Sequence, residues 1–145
     1  MIVVEGVVGA GKTTLGKLLA EEKHFQFMEE PYVDNPFLEK FYSDRKRYSF
    51  HSQLHFLIHR FRQIQEASKL LCPVLDRSMQ GDMIFATMLY EKGEMGKEEY
   101  ELYRELYHEF EKICRKPDLL VYLEVSPEEA IRRIQKRGRE YEQHV

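Results

Sequence analysis

The stretch GVVGAGKTT, Gly6 to Thr14, limits the possible folds of this 145-residue chain more than any other feature. Four of its positions satisfy the pattern G-x-x-x-x-G-K-S/T: Gly6, Gly11, Lys12 and Thr13. A short, mostly apolar run precedes the motif, and leucines at helical spacing follow it. A glycine-rich loop in this position turns backbone N–H groups inward, around phosphate oxygens. The motif therefore predicts a strand, a phosphate-binding loop and a helix.

The residues of this loop would play different parts in holding a nucleotide. Lys12 would reach the β- and γ-phosphates, and the Thr13 hydroxyl would ligate Mg²⁺. We predict that the loop supplies a set of phosphate-binding residues: Gly6, Gly9, Ala10, Gly11, Lys12, Thr13 and Thr14. The alternative is a tight glycine-rich turn that carries a surface lysine.

Strand and helix patterns alternate along the rest of the chain. We predict strands at residues 2–5, 25–30, 73–76 and 118–125, and helices at residues 12–22, 35–42, 48–71, 82–92, 97–112 and after Ser126. Asn35 is the expected N-cap of the second helix, and Ser126 with Glu129 forms a capping-box pattern. This alternation predicts an α/β fold of a single domain, residues 1–145, with a central parallel sheet covered by helices on both faces.

Two carboxylates end predicted strands. Glu30 closes the second strand and Asp76 closes the third. In open α/β sheets ligands bind at the carboxyl ends of the strands. Phosphoryl transfer needs one acid to orient or deprotonate the acceptor hydroxyl and another to help hold Mg²⁺. The pair is therefore a candidate for both tasks, and the alternative for each residue is a helix N-cap or a surface acid.

A cationic segment follows the last predicted strand. Five of its residues are basic: Arg132, Arg133, Lys136, Arg137 and Arg139. Gly138 permits a turn among them, and a lid of arginines over residues 132–143 would stabilise transferring phosphates and exclude water. The alternative is a solvated helix face.

The long third helix carries polar residues on two faces. Gln53 and Arg60, seven residues apart, could line a pocket and read a nucleobase, whereas the default is a solvent-facing stripe. His51, His55 and His59 recur every four residues. Since no carboxylate or cysteine completes a metal-ligand set, we expect an ordinary helix face or a subunit contact there.

Charge and composition limit which partners the chain is expected to bind and in which cell compartment it is expected to work. A formal charge of -3 gives no basic field that would attract nucleic acid or an anionic membrane. No apolar run is long enough to span a bilayer, and no basic leader precedes the first strand, so we expect a cytoplasmic protein. Cys72 and Cys114 lack any metal or redox spacing and are expected to be buried free thiols.

Six blocks of the sequence resemble one family at its spacing, in order from Ile2 to Gln143. They are GVVGAGKTT, EEPYVDNPFLEKFY, SFHSQLHFLIHRFRQ, LDRSMQGDMIFA, KPDLLVYLEVS and RIQKRGREYEQ. The chain resembles the deoxynucleoside kinases, and most closely their bacterial deoxyadenosine/deoxyguanosine kinase branch. This resemblance implies a three-layer P-loop kinase fold, ATP as phosphate donor with Mg²⁺, and phosphorylation of a deoxynucleoside 5′-hydroxyl for nucleotide salvage. It also implies a homodimer that contacts through long helices.

The resemblance also implies roles for individual residues. Glu30 is similar to the family's general base, and Asp76 and Arg77 look like its acid near Mg²⁺ and its arginine at the 5′-hydroxyl. With the loop lysine, the catalytic set is Glu30, Lys12, Asp76 and Arg77, and the metal ligands are Thr13 and Asp76. The substrate set adds residues that would contact the base or the sugar 3′-hydroxyl: Gln53, Arg60, Asp82, Tyr42 and Glu142. Arg133, Arg137 and Arg139 match the lid arginines.

One feature departs from the family pattern. Family chains continue past the lid with further helices and a last parallel strand, so a C-terminal strand and helices are expected to be missing from this chain. Two other functions stay open. One is a nucleoside monophosphate kinase of the thymidylate type, and the other is a non-catalytic nucleotide-binding fragment or subunit.

Overall fold

The computed structural model describes residues 1–7, 9–29 and 35–138. These residues form four strands and six helices, in the order β1 (Ile2–Gly6), α1 (Lys12–Lys23), β2 (Gln26–Met28), α2 (Leu38–Ser43), α3 (Arg45–Ala67), β3 (Pro73–Asp76), α4 (Met79–Glu91), α5 (Lys97–Ile113), β4 (Leu119–Leu123) and α6 (Pro127–Arg137). Within these ranges no helix is both long and apolar enough to cross a membrane.

The four strands form one parallel sheet in the order β2-β3-β1-β4. Val4 on β1 lies in register with Asp76 on β3, and Gly6 lies in register with Leu123 on β4. The phosphate-binding motif therefore begins at the carboxyl edge of the sheet, beside the end of β3. The predicted α/β fold, with a parallel sheet flanked by helices, is confirmed.

The chain divides into two compact units. The first unit comprises Met1–Glu30, Glu66–Ser78 and Lys116–Val145, and contains the sheet with α1 and α6. Its centre is formed by Val3, Val4, Val74 and Leu75, each at most 2% exposed. The second unit comprises Pro31–Gln65 and Met79–Arg115, and is helical.

In the first unit, α1 packs on the sheet through a glycine. A Cβ atom built on Gly16 would lie 2.0 Å from Cε2 of Phe27, which belongs to β2. Only a residue without a side chain allows this close approach. At this position the helix and the short strand pack too closely for any side chain on Gly16.

In the second unit, aromatic residues join the long helices. Phe61 of α3 stacks on Phe110 of α5 with ring centroids 4.1 Å apart. Tyr103 and Tyr107, one turn apart on α5, are both buried. Since four-residue spacing places them on one face, α5 turns a consistent stripe toward the interior.

Three helix starts differ from the prediction: α4 begins at Met79, before the expected residue 82, and the starts of α2 and α3 lie beside polar side chains. Asn35 does not cap a helix that begins with Pro36; its side chain accepts from the N–H of Phe37 across a turn, and α2 begins at Leu38. The side chain of Asp44 accepts from the N–H of Arg47, and α3 therefore begins before Tyr48, where the apolar periodicity alone placed its start. Asp44 satisfies an N–H group in the first turn of α3, whereas Asn35 stabilises the turn before α2, which has no side-chain cap.

Other local expectations have mixed outcomes. Both cysteines are free thiols, but Cys72 is exposed rather than buried and Cys114 is half-buried. The rings of His55 and His59 stack at 4.1 Å. Among residues 1–7, 9–29 and 35–138, no group of three or more His, Cys, Asp or Glu side chains is placed to hold a metal ion.

Candidate active site

The loop between β1 and α1 has the backbone shape that its glycines permit. Gly9 and Gly11 have φ angles of +86° and +96°, and Gly11 is the N-cap of α1. A Cβ atom on Gly9 would lie 2.6 Å from the carbonyl oxygen of Ala130. A side chain at either position would be strained, and at Gly9 it would also collide with α6. The loop thus leads directly into the N-terminus of α1, and a helix N-terminus favours the binding of anions.

Lys12 folds back into this loop. Its Nζ donates to the carbonyl oxygens of Gly6 and Val7, at 2.9 and 3.1 Å, and the residue is 8% exposed. Lysine is rarely this buried unless its ammonium group has partners. The cation is therefore held at the loop, where a phosphate chain would be bound. The other predicted members of the loop lie around it: Ala10 is buried, and Thr14 is exposed on the first turn of α1.

Thr13 and Asp76 meet at the end of the sheet. The Thr13 hydroxyl donates to Oδ2 of Asp76 at 2.9 Å, although the two residues are far apart in sequence. Asp76 is 4% exposed, at the end of β3. A hydroxyl beside a carboxylate offers the oxygen ligands that Mg²⁺ prefers, and Mg²⁺ takes only one or two from the protein beside a nucleotide. The two residues predicted as metal ligands are thus brought together and fit this ion.

Arg77 follows Asp76 in an unusual conformation. Its φ angle is +103°, in the left-handed region, which non-glycine residues seldom adopt. Its N–H donates to the carbonyl oxygen of Val4 at 2.9 Å, so the turn after β3 stays attached to β1. Backbone strain of this kind occurs preferentially at functional sites. The role that the family resemblance implies for Arg77 stays a prediction.

Arg133 of α6 reaches the phosphate loop. Its Nη1 donates to the carbonyl oxygen of Ala10 at 3.1 Å, and its Nε donates to Glu129 at 2.9 Å. Side-chain hydrogen bonds from Arg132, and then from Arg133, lower the pKa of the Glu129 carboxyl to about 2. Glu129 is therefore ionised at neutral pH and anchors Arg133 near the loop. Sequence reasoning assigned Glu129 to a capping box; the Glu129 N–H does bond to Ser126, but its carboxylate binds the arginines.

The predicted lid is described in part. Residues 132–137 belong to the regular helix α6, and Gly138 is its C-cap with φ +74°. Arg137 is exposed on the last turn of this helix. Arg139 and Glu142 lie outside the described residues, as does Glu30, the predicted general base. The lid and the roles of these three residues stay predictions.

The second unit contains a separate buried polar cluster. Nε of Arg60 donates to Oδ2 of Asp82 at 3.2 Å, and Nη1 donates to the side-chain oxygen of Gln63 at 3.0 Å. Gln53, Arg60 and Asp82 are each at most 3% exposed. The default of a solvent-facing stripe is therefore wrong for Gln53 and Arg60. The structure brings Arg60 and Asp82 together, and their role in reading a base stays a prediction.

Tyr42, predicted at the sugar, lies on α2 of the same unit. Its ring contacts Phe41 edge-to-face at 5.2 Å, and the Arg45 guanidinium lies 5.6 Å from its centroid. The ring is thus held by its neighbours.

Sequence reasoning missed several residues of these clusters. Gln63 bonds to Arg60 one turn away on α3, and a search for i, i+3 polar neighbours would have found it. Glu5 and Ser78 hydrogen-bond to each other at 2.9 Å beside the loop, and come from different strand ends. The one available signal was a charged residue, Glu5, inside an otherwise apolar strand.

Comparisons with known proteins agree with this geometry. The deoxynucleoside kinase family model matches residues 2–145. The chain is 43% identical over 148 residues to the deoxyadenosine/deoxycytidine kinase of Bacillus subtilis, covering 98% of this chain and 67% of that protein. It is 37% identical over 145 residues to the deoxyadenosine kinase of Dictyostelium discoideum, covering 99% of this chain and 59% of the relative. The chain thus spans between about three fifths and two thirds of these relatives.

A solved structure shares the fold. The deoxyadenosine kinase from M. mycoides with bound dATP superposes with a TM-score of 0.89 and 32% identity, covering 99% of this chain and 74% of that one. The same enzyme with the products dCMP and a flexible dCDP gives a TM-score of 0.88 at 32% identity, with coverage of 97% and 72%. Sequence, fold and the geometry of the phosphate loop agree, and the chain belongs to the deoxynucleoside kinase family.

Proposed function

We propose that this chain transfers the γ-phosphoryl group of ATP to the 5′-hydroxyl of a deoxynucleoside and releases the 5′-monophosphate. The observation that carries the proposal is the contact between Thr13 and Asp76, 2.9 Å apart, beside a loop that buries Lys12. A phosphate-binding loop needs a hydroxyl, a carboxylate and a lysine at these relative positions to serve phosphoryl transfer. Family membership supplies the acceptor class.

The chemistry is mainly positioning and charge stabilisation. Negative charge spreads over the oxygens of the transferring group in the transition state, and preorganised cations stabilise it there. Lys12 lies at the loop, Arg133 donates to the loop carbonyl of Ala10 while Glu129 holds its Nε, and Arg77 directly follows β3. Glu30 would accept the proton of the 5′-hydroxyl as the phosphorus–oxygen bond forms, and ADP would leave with the electron pair of the broken bond.

Mg²⁺ is part of the proposal. Thr13 and Asp76 would hold the ion, which supplies charge neutralisation to the donor phosphates when it is bound. The proposal rests on the donor set, a hydroxyl next to a buried carboxylate, because hard oxygen ligands suit this ion.

Purine deoxynucleosides are the proposed first choice, with deoxycytidine next. Arg60, Asp82 and Gln53 offer donors and acceptors that complement several base edges. The relatives named above are a deoxyadenosine/deoxycytidine kinase and a deoxyadenosine kinase, and the M. mycoides enzyme was solved with dCMP as a product. Tyr42 and Glu142 would bind the sugar 3′-hydroxyl. The protein would work as a homodimer in cytoplasmic nucleotide salvage, without nucleic-acid partners.

The test is a product assay by chromatography. The protein is incubated with Mg·ATP and, in turn, deoxyadenosine, deoxyguanosine, deoxycytidine, thymidine and thymidine monophosphate, with Lys12→Ala as the control. A monophosphate that forms from a nucleoside and is absent in the control supports the proposal and names the base. A diphosphate formed only from thymidine monophosphate would replace it with the monophosphate kinase. ATP binding without product from any acceptor would leave the non-catalytic nucleotide-binding chain.

A second variant tests the proposed base. Glu30→Gln is expected to keep ATP binding, measured by calorimetry, while kcat falls by several orders of magnitude, because proton acceptance and charge placement are lost together. A near-normal rate in Glu30→Gln would remove this residue from the mechanism.

A further inference from the structure

The turn after β3 holds a residue in a conformation that needs support. Among the described residues outside glycine, only His24 and Arg77 have a positive φ, at 59° and 103°. His24 is the C-cap of α1, where a left-handed residue commonly ends a helix. Arg77 does not end a helix, since it lies between a strand and the next helix. The surrounding structure must therefore stabilise this conformation.

Hydrogen bonds attach Asp76, Arg77 and Ser78, at the end of β3 and in the turn after it, to the phosphate loop or to β1. Asp76 accepts from Thr13 at 2.9 Å, and Arg77 donates its N–H to Val4 at 2.9 Å. The Ser78 hydroxyl donates to Oε2 of Glu5, again at 2.9 Å. Val4 and Glu5 are consecutive, so one short piece of β1 holds both sides of the turn.

Glu5 is a charged residue on a central strand, where charged residues are uncommon. It lies on β1, which has strands on both sides, in the sequence IVVEG. A carboxylate on a central strand loses hydration and is unfavourable there unless hydrogen bonds replace the water. Ser78, its partner, is 5% exposed. Glu5 is half-buried, so the bond between them is partly shielded from water, and losing it would remove one acceptor from the buried Ser78 hydroxyl.

We propose that Glu5 is a positioning residue which, through the Ser78 hydroxyl, holds Arg77 in its left-handed conformation and so fixes the direction of the Arg77 side chain. This inference rests on the proposed function, because it assigns Arg77 to phosphoryl transfer. Misplacing a group by about 1 Å can lower a rate about a hundredfold, so a clamp on the turn affects turnover even though Glu5 and Ser78 do not react.

Steady-state kinetics test the proposal. Ser78→Ala and Glu5→Leu are each expected to lower kcat at least tenfold, with KM for ATP and for the nucleoside within twofold of wild type. Ser78→Thr, which keeps a hydroxyl, and Glu5→Gln, which keeps an acceptor oxygen, are expected to stay within about threefold. The double variant Glu5→Leu/Ser78→Ala should be no slower than the slower single variant, because both remove one bond.

Ser49→Ala is the matched control. The Ser49 hydroxyl is also buried and also donates to an acceptor distant in sequence, the carbonyl oxygen of Glu94. Its removal is expected to lower the melting temperature and leave kcat within twofold. If Ser78→Ala behaves in the same way, with lower stability and an unchanged kcat, the bond is merely structural and the proposal is wrong.

A measurement without turnover separates this inference from the proposed function. Amide hydrogen exchange of Arg77, compared with that of Leu75 on β3, reports opening of the turn. In Ser78→Ala the Arg77 exchange rate should rise about fivefold or more, and the Leu75 rate should not change. An unchanged Arg77 rate would overturn the clamp even if the kinase activity is found. A faster Arg77 rate in a protein that phosphorylates no nucleoside would support the clamp and reject the proposed function.

Discussion

The Arg60–Asp82 pair allows the effect of burial to be predicted for a single substitution, Asp82→Ala. The two side chains are 1% and 2% exposed, and Nε and Oδ2 lie 3.2 Å apart. Removing the carboxylate leaves the Arg60 guanidinium with the Gln63 side-chain oxygen, 3.0 Å from Nη1, but without this counter-charge. A buried charge that loses its partner is strongly destabilising, and the expected loss is about 3–5 kcal/mol.

An exposed pair of the same length serves as the control. Nζ of Lys69 and Oε1 of Glu66 are also 3.2 Å apart, but the side chains are 72% and 64% exposed. Solvent screens such a pair, so Glu66→Ala should cost less than about 1 kcal/mol. The distance between the charged atoms is the same in both pairs, so the predicted difference in the free energy of unfolding comes from burial.

Urea unfolding followed by circular dichroism measures both free energies of unfolding, provided that unfolding is a single transition. At about 2–4 °C per kcal/mol for a chain of this size, Asp82→Ala should melt about 10 °C lower. The double variant Arg60→Met/Asp82→Leu should recover most of the loss, because it removes both charges together. If Asp82→Ala unfolds at the same urea concentration as Glu66→Ala, the argument from burial is wrong.

Three further predictions concern other parts of the chain. Gly16→Ala should lower the free energy of unfolding by about 1–3 kcal/mol, because the new Cβ would lie 2.0 Å from the Phe27 ring. Adding Phe27→Leu should restore part of this loss in a thermal melt. An unaltered melting temperature in Gly16→Ala would contradict this packing. Thr13→Ala should lower kcat and raise the Mg²⁺ concentration needed for half-maximal rate, and an unchanged Mg²⁺ titration would remove this hydroxyl from the metal site. Cys72 should react with a thiol reagent before Cys114, since Cys72 is exposed and burial raises the pKa of the Cys114 thiol; peptide mass mapping that finds Cys114 modified first would refute this order.

Much of the framework was predictable because its signals are local. The glycine pattern, the apolar run before it and the leucines after it predicted the strand, loop and helix that the structure contains. The prediction of a helix over residues 97–112 agrees with α5, Lys97–Ile113, because its apolar residues recur at helical spacing. Helix starts were less predictable, since Asn35 and Asp44 bind backbone N–H groups through geometry that periodicity does not contain.

The sequence predicted the residue types of the candidate site better than the contacts between them. The position of Asp76 at a strand end indicated a ligand site, and the resemblance to the family assigned its role. Gln53 and Arg60 carried no signal strong enough to show that they are buried, because polar residues on a helix are usually solvated. The contact of Arg60 with Asp82 crosses from α3 to α4, so it depends on how these two helices pack.

Residue types at fixed short spacings were enough to predict the family, the parallel α/β architecture and the phosphate loop. Tertiary structure alone decided which distant side chains meet. Strand order β2-β3-β1-β4 places β1 beside β3, and this brings Thr13 to Asp76 and Glu5 to Ser78. Parallel strands that are neighbours in a sheet are separated in sequence by long crossovers, so no local pattern records which of their ends will touch.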